Sequence, residues 1–137
     1  MLATESDYLA TLPAFLAFFA AALALLAVFL IVYMLVTPHR ELQLIREGNV
    51  AAAVSMAGAL IGFVIPLASV IENSVSLIDM GVWGLVAMAV QILTFLAVRL
   101  LLPDLVRRIE AGDAAPAIAL ATLSLAVGML NAACVTY

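Results

Sequence analysis

Apolar residues in this chain fall in long blocks rather than in the two-residue alternation of a half-buried strand. A helix that crosses roughly 30 Å of hydrocarbon needs about 20 such residues. Four blocks qualify: about Pro13 to Val36, Val50 to Ile71, Met80 to Leu102, and Ala114 to Val135. The first contains no charge, the second lies between Glu47 and Glu72, and the third carries Arg99 near its end. The missing alternation makes a β-barrel a poor fit. The pattern predicts an all-α polytopic membrane protein with four transmembrane helices.

Polar residues then define the connections. Residues 37–49 read TPHRELQLIREGN and residues 103–113 read PDLVRRIEAGD. Pro38 and Pro103 close the preceding helices. Gly48-Asn49 and Gly112-Asp113 are turn signals, and Asn49 and Asp113 suit the N-cap of the helix that follows. The middle connection, from Glu72 to Asp79, is also short. Short links between long helices imply an up-down-up-down four-helix bundle.

The halves of the chain match. Ile45, Gly48, Ala51, Ala53 and Ala57 recur as Ile109, Gly112, Ala115, Ala117 and Ala121, at a constant offset of 64 residues. Two spans per copy make the repeat parallel rather than inverted. The expected organisation is a short outer segment (1–12), a first two-span repeat (13–72) and a second (73–137).

Composition narrows the class. Of 137 residues, 68% are hydrophobic and 10% charged, where a soluble domain carries about 25% charged; mean hydropathy is +1.30. A soluble enzyme, a disordered tail and a nucleic-acid binder are excluded. The net charge is −4. The five basic residues, Arg40, Arg46, Arg99, Arg107 and Arg108, form no polybasic run, so attraction to phosphates is not expected to be the task. The arginines of the first and third connections place those connections in the cytoplasm and both termini outside. Residues 1–12 are acidic and the first apolar run is long, so an uncleaved span is expected rather than a signal peptide. A single cysteine, Cys134, allows no internal disulfide. Cys134 and His39 are too few strong ligands for zinc, and no cofactor is expected.

Several residues carry candidate chemistry. Gly58 and Gly62 form a G-x-x-x-G pair, and Ser124, Gly128 and Ala132 a similar four-spaced stripe. Both suit close helix packing, inside the bundle or at an oligomer seam. Pro66 removes a backbone hydrogen bond and frees a carbonyl near Ile61 or Gly62, open to an ion or a polar partner. Gln91, near the middle of its span, reads as interhelical glue or as the lining of an oligomeric pore. Arg99 can snorkel as a topology anchor, or act at a gate or lipid headgroup, with Asp104 or Glu47 as partner. Glu72, Asn73 and Asn131 lie near the outer ends of the second and fourth spans, where they would share a small polar pocket. His39 titrates near neutrality in principle, though an exposed loop histidine usually has no such role.

The stretch TPHRELQLIREGNVAAAVSMAGALIGFVIPLASV (Thr37–Val70) resembles the YjfL-like bacterial inner-membrane proteins, uncharacterised protein family 0719. So do VWG at Val82–Gly84, VQIL at Val90–Leu93, VRLLLP at Val98–Pro103 and the terminal NAACVTY. The resemblance covers nearly all of Thr37–Tyr137 and, weakly, the first span; the chain departs at Glu72, where an uncharged residue is more typical. It implies a multi-pass inner-membrane protein built from two tandem copies of a two-span domain of unknown function. It brings no catalytic residues. Some members are thought to be encoded beside membrane-stress proteins of the phage-shock type, which points to envelope maintenance.

Three functions follow as expectations. The first is a non-enzymatic scaffold or partner module, binding membrane lipid, itself and other envelope proteins. The second is a homo-oligomeric channel or transporter for an ion or small solute. The weakest is an intramembrane enzyme, since the sequence offers no metal cluster, activated nucleophile or paired carboxylates.

Overall fold

A computed structural model describes residues 5–37 and 40–135. His39 lies outside them. The described residues form helices α1 (Glu5–Val36), α2 (Glu41–Arg46), α3 (Val50–Asn73), α4 (Leu77–Leu101), α5 (Leu105–Glu110) and α6 (Ala114–Cys134). Four of these, α1, α3, α4 and α6, are long and apolar enough to cross a membrane.

Contacts between helices set their directions. Leu25 and Tyr33 of α1 meet Gly84 and Phe95 of α4 in ascending order, so α1 and α4 run the same way. Gly58, Gly62 and Ser69 of α3 meet Ala121, Ser124 and Ala132 of α6, also in ascending order. Tyr33 reaches Ser55 while Phe29 stacks on Phe63, so α1 and α3 are antiparallel. The result is the expected up-down-up-down arrangement. Its α2 and α5 lie at one end, the linker end, and the start of α1 and the end of α6 at the other.

The bundle is uneven. Helix α3 is central and makes its most extensive contact with α6. Small residues permit it: a Cβ on Gly62 would stand 2.5 Å from the Ser124 carbonyl oxygen, and one on Gly128 2.2 Å from that of Gly62. Helix α1 is peripheral. Its only buried residues are Phe29 and Tyr33, which join Phe63 and Phe95 in an aromatic core, with Phe29 and Phe63 centroids 4.5 Å apart.

Two features differ from the sequence expectation. Helix α1 begins at Glu5 rather than Pro13, so the proline lies inside it. A charge-free run marks the part of a helix that suits hydrocarbon, not the helix itself. Glu5 and Asp7 in the first turn favour the positive end of the helix dipole. The first and third connections are also not plain loops, since each holds a six-residue helix. Leu105 and Ile109 of α5 are fully buried against the bundle, and such burial stabilises a segment too short to be helical alone.

Both short helices end in the same way. Gly48 (φ 86°) and Gly112 (φ 84°) adopt the left-handed conformation. Gly48 N–H donates to Ile45 and Asn49 N–H to Leu44; Gly112 N–H donates to Ile109 and Asp113 N–H to Arg108. This is the Schellman pattern of a helix C-terminus. Asn49 and Asp113 then accept from the backbone N–H of Ala52 (3.0 Å) and Ala115 (3.2 Å) as N-caps of α3 and α6.

Candidate intramembrane polar site

Proline 66 has no N–H, so the carbonyl four residues earlier, that of Gly62, loses its helical partner. Gln91 supplies another. Its Nε2 donates to Gly62 O at 2.9 Å and to Ser124 O at 3.0 Å. These three residues sit near the midpoints of α3, α4 and α6, so one amide ties three helices together at the centre of the bundle. Gln91 is 3% exposed, and its Oε1 has no hydrogen-bond partner among the described residues. Of the two expected roles for Gln91, the geometry displays the interhelical tie.

The other predicted positions separate. Gly58, Gly62, Ser124 and Gly128 are buried between α3 and α6, with Ala132 half-buried farther along. Ser69 Oγ donates to the Ala132 carbonyl at 3.0 Å. The small-residue faces are thus occupied within one chain. Arg99 is exposed and pairs with neither expected acid. Asp104 is bound to Arg107 at 2.6 Å, because the two share the first turn of α5; Glu47 accepts from Gln43 instead. No hydrogen bond joins the three residues expected to share a polar pocket, Glu72, Asn73 and Asn131. Glu72 is exposed, Asn73 donates to Ser69 O of its own helix, and Asn131 Nδ2 is buried without a hydrogen-bond partner among the described residues.

A second polar cluster was not foreseen. At the linker end, Tyr33 Oη donates to Glu41 Oε1 (3.1 Å) and lies 3.3 Å from Ser55 Oγ. Thr37 Oγ1 donates to the Tyr33 carbonyl. Glu41 is 2% exposed although it stands in a connection rich in charge. The signal was present as Tyr33, Thr37 and Glu41 at four-residue spacing, a polar stripe continued across the end of α1. At the same end, Arg108 holds the Asp113 carboxyl below the usual carboxylate range, assisted by the Ala115 amide.

These features define a class: a helical membrane protein of four spans in which a few buried polar side chains, Gln91 and Tyr33 among them, join helices. Residues 7–135 match the family model described as Domain of Unknown Function (DUF350), and this match takes in all four long helices. The chain is 42% identical over 127 residues to the UPF0719 inner membrane protein YjfL of Escherichia coli K12, covering 93% of this chain and 96% of the relative. The same protein from Escherichia coli O157:H7 matches equally. The chain belongs to this family of integral, multi-pass inner-membrane proteins. No solved structure matches it.

Proposed function

We propose that the protein is a non-enzymatic membrane module that works by lateral association with another transmembrane helix, in the upkeep of the cell envelope. The observation that carries this reading is the uncovered half of α1. No α1 residue before Phe29 is buried. On that half, Phe15 and Phe19 stack at 5.7 Å and flank an apolar groove of about 260 Å³ closed on its other side by Ile71. Aromatic side chains bring large contact area at small entropic cost, which suits an association surface. The alternative, an oligomeric conduit, gains less support, because its expected lining residue, Gln91, is buried inside one protomer.

Two further readings accompany this one. The matching Schellman turns and caps at a 64-residue offset support descent from a duplicated two-span unit. The arginine-rich linker end supports a cytoplasmic position for α2 and α5 and an outer position for the termini.

The test is site-specific photocrosslinking in native membranes. A photoreactive side chain at Phe15 or Phe19 is expected to give a discrete protein adduct, with a second copy or with a different membrane protein. The control is Leu93 on α4, which is 63% exposed and is expected to give lipid adducts only. Lipid adducts alone from all three positions would overturn the reading.

A further inference from the structure

The five arginines are not equivalent. Arg107 and Arg108 are each neutralised at 2.6 Å, by Asp104 and Asp113. Arg40 and Arg46 make no side-chain hydrogen bond or ion pair with any described residue, in a chain of net charge −4. Both line one open cleft of about 770 Å³ between the end of α1 and α2. The neighbouring acid, Glu41, turns its carboxyl inward, where it accepts from Tyr33 Oη. Gln43 adds a polar group to the same cleft, while Met34 and Leu42 give it an apolar side. Leu42 is 49% exposed and Leu35, one residue beyond Met34, is 80% exposed. Both belong to surface that hydrocarbon or its boundary must cover.

We propose that this cleft binds the headgroup phosphate of an anionic phospholipid. Arg40 and Arg46 grip the phosphate oxygens, and Met34 and Leu42 lie against the first carbons of the acyl chains. Guanidinium groups suit this task, because their planar forks meet phosphate oxygens two at a time. The mixed lining selects an amphiphile over a free anion. No polybasic run is needed: the third connection ties up its own arginines, and the first presents Arg40 and Arg46 on one cleft.

The test is native mass spectrometry of the purified protein in detergent, offered equal amounts of phosphatidylglycerol and phosphatidylcholine with matched chains. The intact protein is expected to retain phosphatidylglycerol about thirtyfold in preference, the scale expected for two boundary arginines. Arg40→Gln and Arg46→Gln are each expected to lower that preference about fivefold, and the double variant to bring it to parity, with helicity unchanged by circular dichroism. Arg107→Gln, whose side chain is exposed and already paired, is expected to leave it intact. Equal retention of the two lipids by the intact protein overturns the proposal. So does an undiminished preference in either folded single variant, or an equal loss in Arg107→Gln. Displacement of the lipid by millimolar inorganic phosphate would make a soluble phosphate the ligand and overturn the lipid assignment.

Discussion

At Gly62, a missing donor and an added donor compensate each other. Pro66 removes the N–H that would satisfy the Gly62 carbonyl, and Gln91 replaces it from another helix. Without Gln91 the Gly62 carbonyl would stand unpaired in hydrocarbon, where that is costly. The two substitutions should therefore be coupled. Gln91→Leu is expected to destabilise the protein by about 1–2 kcal/mol. In a Pro66→Ala background, which restores a helical donor to Gly62, the same change is expected to cost less. A double-mutant cycle on unfolding in mixed micelles checks this, and strictly additive costs would contradict it. Half of this site was legible. The proline's effect on a carbonyl near Gly62 follows from covalent structure, as does the need of a mid-span amide for a partner. That the two needs meet depends on the rotation of α4 about its axis, which a uniformly apolar helix does not encode in its pattern.

Among elements, the long helices were readable because hydrocarbon thickness imposes a length on them. The turn chemistry was readable because positive φ favours glycine and a free N–H needs an acceptor. The short helices α2 and α5 were not, since their stability comes from tertiary burial, full for Leu105 and Ile109 and partial for Leu44 and Ile45, rather than from local preference. Nor was the buried Glu41, because a charged residue among arginines reads as solvated. One difference between the two matching turns is informative. Asn49 uses Oδ1 to cap α3, and its Nδ2 donates to the carbonyls of Ile109 (2.9 Å) and Glu110 (3.2 Å) at the end of α5. Asp113 has no donor to offer and binds Arg108 instead. Asn49 thus links the two connections. Asn49→Asp keeps the cap but turns a donor into an anion facing two carbonyls, and is expected to cost about 1–2 kcal/mol. Asp113→Asn keeps its own cap and gives up only the exposed pair with Arg108, so it is expected to cost less. Chemical unfolding of the two variants side by side gives the comparison, and equal costs would refute the linking role.

For the whole molecule, the two ends differ in both charge and length. The linker end holds every arginine, whereas Glu5, Asp7, Glu72 and Asp79 lie toward the other end with no basic residue among them. Helix α1 has 32 residues, about 48 Å at 1.5 Å per residue, against roughly 30 Å of hydrocarbon. Its linker end is in register with the start of α3 through Tyr33 and Ser55, so the excess length and the aromatic groove belong to the terminal end. Orientation therefore decides which compartment meets which surface. With the linker end in the cytoplasm, the arginine cleft faces the inner leaflet, and the free half of α1 meets partners from the outer side. Cys134 is the sole cysteine and is exposed at the end of α6, so it reports this directly. A membrane-impermeant maleimide is expected to label Cys134 in intact spheroplasts. In a Cys134→Ser background, a cysteine placed at Glu47 by Glu47→Cys is expected to react only after permeabilisation. The reverse pattern would invert the molecule: the arginines would face outward against the usual charge rule, and the partner of α1 would have to be sought on the cytoplasmic side.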